Sequence, residues 1–89
     1  MDKFKLVFRV PAEHVERCKT AVFKVGAGQN GPYTECCFSS PGTGQFRPGN
    51  MAKPHLGTVG KLEQVSEIRI ETLCVGKDTV KEAVKALKE

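Results

Sequence analysis

The residues best suited to chemistry fall in one stretch, Cys37-Phe38-Ser39-Ser40-Pro41-Gly42-Thr43-Gly44-Gln45-Phe46-Arg47-Pro48. Two glycines around a hydroxyl residue let backbone N–H groups converge on one concavity, an anion nest, and Arg47 would add a charge beside it. The candidate ligand-binding residues are therefore Ser39, Ser40, Gly42, Thr43, Gly44, Gln45 and Arg47, for a small anion. The spacing is not a Walker loop, which needs Gly-Lys-Ser/Thr, nor a dinucleotide fingerprint, which opens a helix. No cofactor is assigned. A purely structural reading stands beside this one: Gly42 and Gly44 permit a turn and a bulge, and Phe46 pins the loop to the body.

Other reactive groups are sparse. His14 and His55 are the only histidines, about forty positions apart, with no carboxylate at ligand spacing beside either. No metal site and no catalytic residue is expected from them. Adjacent cysteines in a strand point to opposite faces, so Cys36 and Cys37 are not expected to share a metal. Cys18, Cys36 and Cys74 read as buried thiols and Cys37 as the exposed one. Arg69 and Glu71 stand two apart on a strand face, with Leu73 next along it. They form either a solvated pair or a charge pair between subunits. With Tyr33 and Val7 assigned to the same face, the candidate interface comprises Tyr33, Phe46, Arg69, Glu71 and Leu73.

These groups need a frame. Over residues 3–10, Phe4, Leu6, Phe8 and Val10 alternate with Lys3, Lys5, Val7 and Arg9, which predicts a strand with one face on a core. Pro11 ends it. Val15, Cys18, Val22 and Val25 then recur at helical spacing across 12–25, and Gly26 and Gly28 stop the helix. Gly31-Pro32 predicts a turn into a strand over 33–40, with Thr34, Cys36 and Phe38 on one face. From Pro41 to Gly60 the chain holds most of its glycines and prolines, a long connecting loop. Ile68, Ile70, Thr72 and Cys74 mark a third strand over 66–75. Val80, Ala83, Val84 and Leu87 mark a last helix over 79–88, with Thr79 and Glu82 at capping-box spacing.

The order strand, helix, strand, long loop, strand, helix is the split-βαβ, ferredoxin-like α+β arrangement without its fourth strand. Residues 1–89 make one domain, large enough for a modest core without staples. A net charge of +4 is too small to name a polyanionic partner. The outward positions Lys3, Lys5, Val7, Arg9, Arg69, Glu71 and Leu73 include no aromatic on which a base could stack, so nucleic acid is not favoured. No apolar run has the length of a signal peptide or a membrane span, which makes the cytoplasm the expected address and reduced thiols the expected state.

Several spaced motifs together resemble a known family: Val10-Pro11-x-Glu13-His14, Gly26-Ala27-Gly28, Gly31-x-Tyr33, Cys37-Phe38-Ser39, Gly42 through Pro48, Gly57-x-Val59-Gly60 and Arg69-x-Glu71. They are similar to the YqfO-like domain inserted in many bacterial members of the NGG-interacting-factor-three family, which also occurs as a free-standing short form. The resemblance covers essentially the whole chain. It implies a fold like the CutA and PII signalling proteins, ferredoxin-like units that associate as trimers through their sheets. The dinuclear metal site of the long members is built by flanking domains, so the resemblance carries over neither metal nor hydrolase activity. Family members usually continue past the last helix with a His-Pro-Tyr-Glu-Glu-like segment and a closing strand, whereas this sequence stops at Glu89. An unpaired sheet edge is expected there. The segment Gly49 to His55 also departs from the family's usual acidic and aromatic stretch.

The expected function is a non-enzymatic interaction or assembly module, a homo-oligomer of the trimer type. Its 41–60 loop would meet a protein partner or a small anionic ligand. The alternative is a sensor that binds an anion or nucleotide between subunits near Gly42–Arg47. Nucleic-acid binding and hydrolysis rank below both.

Overall fold

The computed structural model describes residues 2–49 and 58–88. Strand β1, Lys3–Val10, leads through a 3-10 turn, Ala12–His14, into helix α1, Val15–Lys24. Strands β2, Cys37–Phe46, and β3, Glu63–Val75, follow, and helix α2, Lys77–Lys88, comes last. The sheet order is β1-β3-β2, and β3 runs antiparallel to both neighbours. Strands β1 and β2 are thus parallel and separated by β3, the split-βαβ arrangement predicted above.

Alternation decides which side of the sheet is covered. Leu6, Val10, Ile70, Thr72 and Cys74 are buried, whereas Lys3, Lys5, Val7, Arg9 and Arg69 are exposed. Leu6 and Cys74 join Val22 of α1 and Ala83 of α2 in one core, with Phe4, Phe8, Phe23, Val25, Val80 and Leu87 packed around it. Both helices therefore sit on one face of the sheet and leave the other open. The end of α1 is closed by backbone bonds: Ala27 N–H donates to the Val22 carbonyl and Gly26 N–H to that of Phe23, each at 3.1 Å. This is a Schellman cap, and it needs the left-handed φ of +106° that Gly26 adopts.

Three sequence expectations change. Strand β2 runs from Cys37 to Phe46 rather than over 33–40, so Pro41–Phe46 is ladder and not the opening of a loop. Strand β3 begins at Glu63, three residues before the expected start, because the lengthened β2 pairs with it as far as Phe46↔Glu63. Helix α2 begins at Lys77, so Thr79 lies within its first turn and does not cap it, and Val84 is 38% exposed instead of joining the core stripe. The remainder of the 41–60 segment, His55 included, lies partly outside the described residues.

Candidate functional site: the open sheet face

Cross-strand register places the open-face residues. Val7 faces Glu71 across β1 and β3, Lys5 faces Leu73, and Arg9 faces Arg69. On the other side of β3, Phe38 faces Glu71 and Ser40 faces Arg69. The face thus has a charged centre, Arg69 and Glu71, with apolar groups at Val7, Leu73 and Phe38. Phe38, 65% exposed, is the most exposed of these three apolar groups. The sequence reading had set it beside Cys36 and put Tyr33 on the open face instead. Tyr33 lies before the strand, in a bridge with Asn30 at the surface. The cause is Glu35, whose φ of 57° is left-handed and turns the chain just before β2.

Arg69 donates a hydrogen bond to the Glu71 carboxylate. That bond is the main reason the Glu71 carboxyl titrates below its ordinary range. Partial desolvation opposes it, while the charges of Arg69 and Lys5 add to it. A carboxyl depressed by folding contributes stability above its unfolded value and loses it as pH falls through the folded one. Acid titration of the wild type should therefore show a loss of stability below the ordinary carboxylate range that Glu71→Gln lacks. Urea midpoints across that range would measure it, and parallel curves would remove the pair from any stabilising role.

Cys36 and Cys37 line one shallow cavity of about 290 Å³ with Lys5, Asn30, Phe38, Glu71, Thr72 and Leu73. Cys36 precedes β2, so strand alternation does not govern how its side chain stands relative to that of Cys37. Its N–H donates to the Gly28 carbonyl at 2.9 Å, and its own carbonyl accepts from Thr72 Oγ1 at 2.8 Å. Cys74 is buried as expected, and burial raises its thiol pKa. Cys37 is exposed as expected, while Cys18 and Cys36 are only half-buried. All four thiols are free. A thiol reagent should label Cys37 first and Cys74 only on unfolding. Mass spectrometry of partly labelled protein checks the order, and early labelling of Cys74 would contradict the packing.

The candidate anion residues lie along an edge strand. Ser39, Ser40, Gly42, Thr43, Gly44 and Gln45 all belong to β2, and Arg47 follows it, exposed. Neither Gly42 nor Gly44 has a left-handed φ, so the backbone here is extended and does not curl into a nest. Gly44 instead makes room for a neighbour: a Cβ there would stand within 3.0 Å of the Glu67 carboxyl carbon. Gly42 and Thr43 do line a concavity with Ser66, Ile68 and Glu67, but that carboxylate has the wrong charge for an anion. Gln45 accepts from Gln64 Nε2 at 3.2 Å, and Phe46, half-buried, stands opposite Glu63 across the hairpin.

His14 sits between Glu13 (3.7 Å from Nε2) and Arg17, whose guanidinium lies 3.2 Å from Nδ1. Among the described residues no group of three or more His, Cys, Asp or Glu side chains could hold a metal ion, and no helix is long and apolar enough to cross a membrane.

Three strands in this order with two helices on one face define a ferredoxin-like fold of the PII type. Bacillus subtilis GlnK superposes with a TM-score of 0.61 at 17% identity, over 94% of this chain and 67% of that one. That likeness concerns the fold alone. Closer in sequence is a Bacillus cereus protein related to NIF3, with a TM-score of 0.79 and 39% identity, over 96% of this chain and 21% of that one. Two proteins named GTP cyclohydrolase 1 type 2 homolog are also similar. The one from Bacillus subtilis is 48% identical and the one from Mycobacterium leprae 46%, each over 69 residues, 78% of this chain and 18% of theirs. The chain belongs to the NIF3-related family, as its YqfO-like domain. It spans about a fifth of the length of these relatives. No protein-family model matches it.

Proposed function

We propose that this chain is a PII-like assembly module that self-associates, as a trimer, through its open sheet and presents the residues after β2 to a partner. The observation that carries the reading is the exposed face where Phe38, Val7 and Leu73 surround the Arg69–Glu71 pair. Exposed apolar groups grouped around a charge pair suit a face that another protein surface covers. The outer edges of β1 and β2 support the same reading, since among the described residues no strand pairs with either.

In this reading the chain is not itself an enzyme. The relatives' name refers to a cyclohydrolase, but this chain corresponds to about a fifth of each of them. Its own inventory offers surface ion pairs and free thiols, without a nucleophile held against a base among the described residues. The test is the mass in solution by light scattering or sedimentation. A value near three times 9.7 kDa is expected. A stable monomer at high concentration would overturn the proposal.

A further inference from the structure

The helix layer carries all of the chain's excess charge. Helices α1 and α2 hold seven of the 14 basic residues and three of the 10 acidic ones, a net +4 that equals the charge of the whole chain. The remaining residues balance, seven against seven. Of the seven helical cations, Lys19 alone makes an ion pair among the described residues, with Glu16 at 4.0 Å.

The two helices run antiparallel. A Cβ on Gly26, just after α1, would touch Thr79 in the first turn of α2 at 3.6 Å. At the opposite end of the pair a groove of about 350 Å³ opens, lined by Arg17, Cys18, Ala21, Ala86, Leu87 and Lys88. The short side chains of Ala21 and Ala86 leave the gap. With Cys18 and Leu87, all four half-buried, they give it an apolar floor, and the exposed Arg17 and Lys88 stand at its rim. Val84, one turn back along α2, adds an apolar side chain that is 38% exposed.

Lys85 and Lys88 have a local explanation, since cations in the last turn of α2 offset the negative end of the helix dipole. Arg17 has none. It stands in the first turn of α1, at the positive end of that dipole, where a cation costs stability. Among the described residues its one side-chain partner is the His14 ring, at 3.2 Å. A carboxylate brought to the groove would answer both Arg17 and Lys88.

We infer that this groove docks an acidic segment of another protein. One apolar side chain of the segment seats between Ala21 and Ala86, and carboxylates flanking it meet Arg17 and Lys88. The apolar floor favours a protein over a nucleic acid, whose phosphates would use the cations and leave the floor uncovered. The groove lies on the helix side, away from the open sheet face, so the inference does not rest on the assembly proposed above.

The test uses a fluorescent peptide, Glu-Asp-Glu-Leu-Asp-Glu-Asp, and binding read by anisotropy at low ionic strength. Saturable binding is expected, and Arg17→Glu/Lys88→Glu should weaken it about tenfold or more, because like charges then face each other. Replacing the peptide's leucine by serine should also weaken binding roughly tenfold, the value of burying one such side chain. A footprint on the wild type covers the case of a poorly folded variant. Bound peptide should slow labelling of Cys18 and leave Cys37, which lines a different cavity, unchanged. No saturable binding, equal binding of the serine peptide, or an unprotected Cys18 would each overturn the inference. So would a single-stranded oligonucleotide of equal charge that binds as tightly and protects Cys18 as well.

Discussion

Gly28→Ala is expected to cost about 2–5 kcal/mol of folding stability, enough to populate unfolded chains in a domain of this size. Gly28 is buried with a left-handed φ of +81°. Holding a side-chain-bearing residue in that region costs about 1–2 kcal/mol. The larger obstacle is what surrounds it. A Cβ at this position would sit 2.9 Å from both the N and the O of Cys36 and 3.0 Å from Phe23 Cε1. The Cys36 backbone cannot retreat, because its N–H donates to the Gly28 carbonyl and its carbonyl accepts from Thr72. Forcing space there adds roughly 1–3 kcal/mol.

The consequence reaches the open face. Gly28 N–H donates to the Leu73 carbonyl at 2.7 Å, so the turn after α1 takes up the β3 edge where β2 has not yet begun. Displacing it loosens Leu73 and Cys36, two residues that line the cavity beside Phe38. Gly42→Ala is the control. No atom lies within 4 Å of a Cβ there and the backbone is extended, so its effect should stay within about 0.5 kcal/mol. Urea unfolding of the two variants makes the comparison, and similar midpoints would show that Gly28 is not held as described.

The elements on either side of the site were legible because their patterns are strong. Phe4 to Val10 and Ile68 to Cys74 alternate without interruption, and the core takes the side that the alternation names. Helices α1 and α2 follow from apolar spacing in the same way. Strand β2 was legible only in its existence. Pro41, Gly42 and Gly44 are poor strand residues by propensity, so 41–46 reads as a loop. They are tolerated because β2 is an edge strand: a proline there can turn its bare nitrogen outward, where no ladder bond is missed. What holds the segment extended is β3, whose Glu63–Glu67 pairs with it from far along the chain.

The same gap explains the site. Arg69, Glu71 and Leu73 were placed from β3 alone, and they share the open face as expected. Tyr33 and Phe38 depended on where β2 starts, and that start is set by the left-handed turn at Glu35. Glutamate has no special preference for such a conformation, so no residue type announces it. One misplaced turn moved the exposed aromatic from Phe38 to Tyr33. A lone phenylalanine beside the Arg69–Glu71 pair remains a poor stacking platform, whereas it suits an apolar contact between protein surfaces.

Ile70→Ala should destabilise the domain by about 2–5 kcal/mol. Ile70 is in the middle of the central strand and fully buried, opposite Phe8 on β1 and Ser39 on β2. Ser39 is small, so no large neighbour is available from that side to fill the space a deleted side chain leaves. The upper part of the range is therefore the expected one. Ile70→Val, which removes a single methyl, should cost about 0.5–1.5 kcal/mol.

The informative comparison is with the opposite side of the same sheet. Val7→Ser alters a residue that is 40% exposed, so it should leave the monomer's urea midpoint nearly unchanged while weakening self-association. Ile70→Ala should do the reverse: the fold weakens, yet the chains that remain folded keep the open face and still associate. Unfolding followed at a concentration too low for assembly, together with masses measured at a high one, separates the two effects. If Val7→Ser destabilised the monomer as much as Ile70→Ala, the uncovered side of the sheet would be a second core face, and no partner would be needed to explain it.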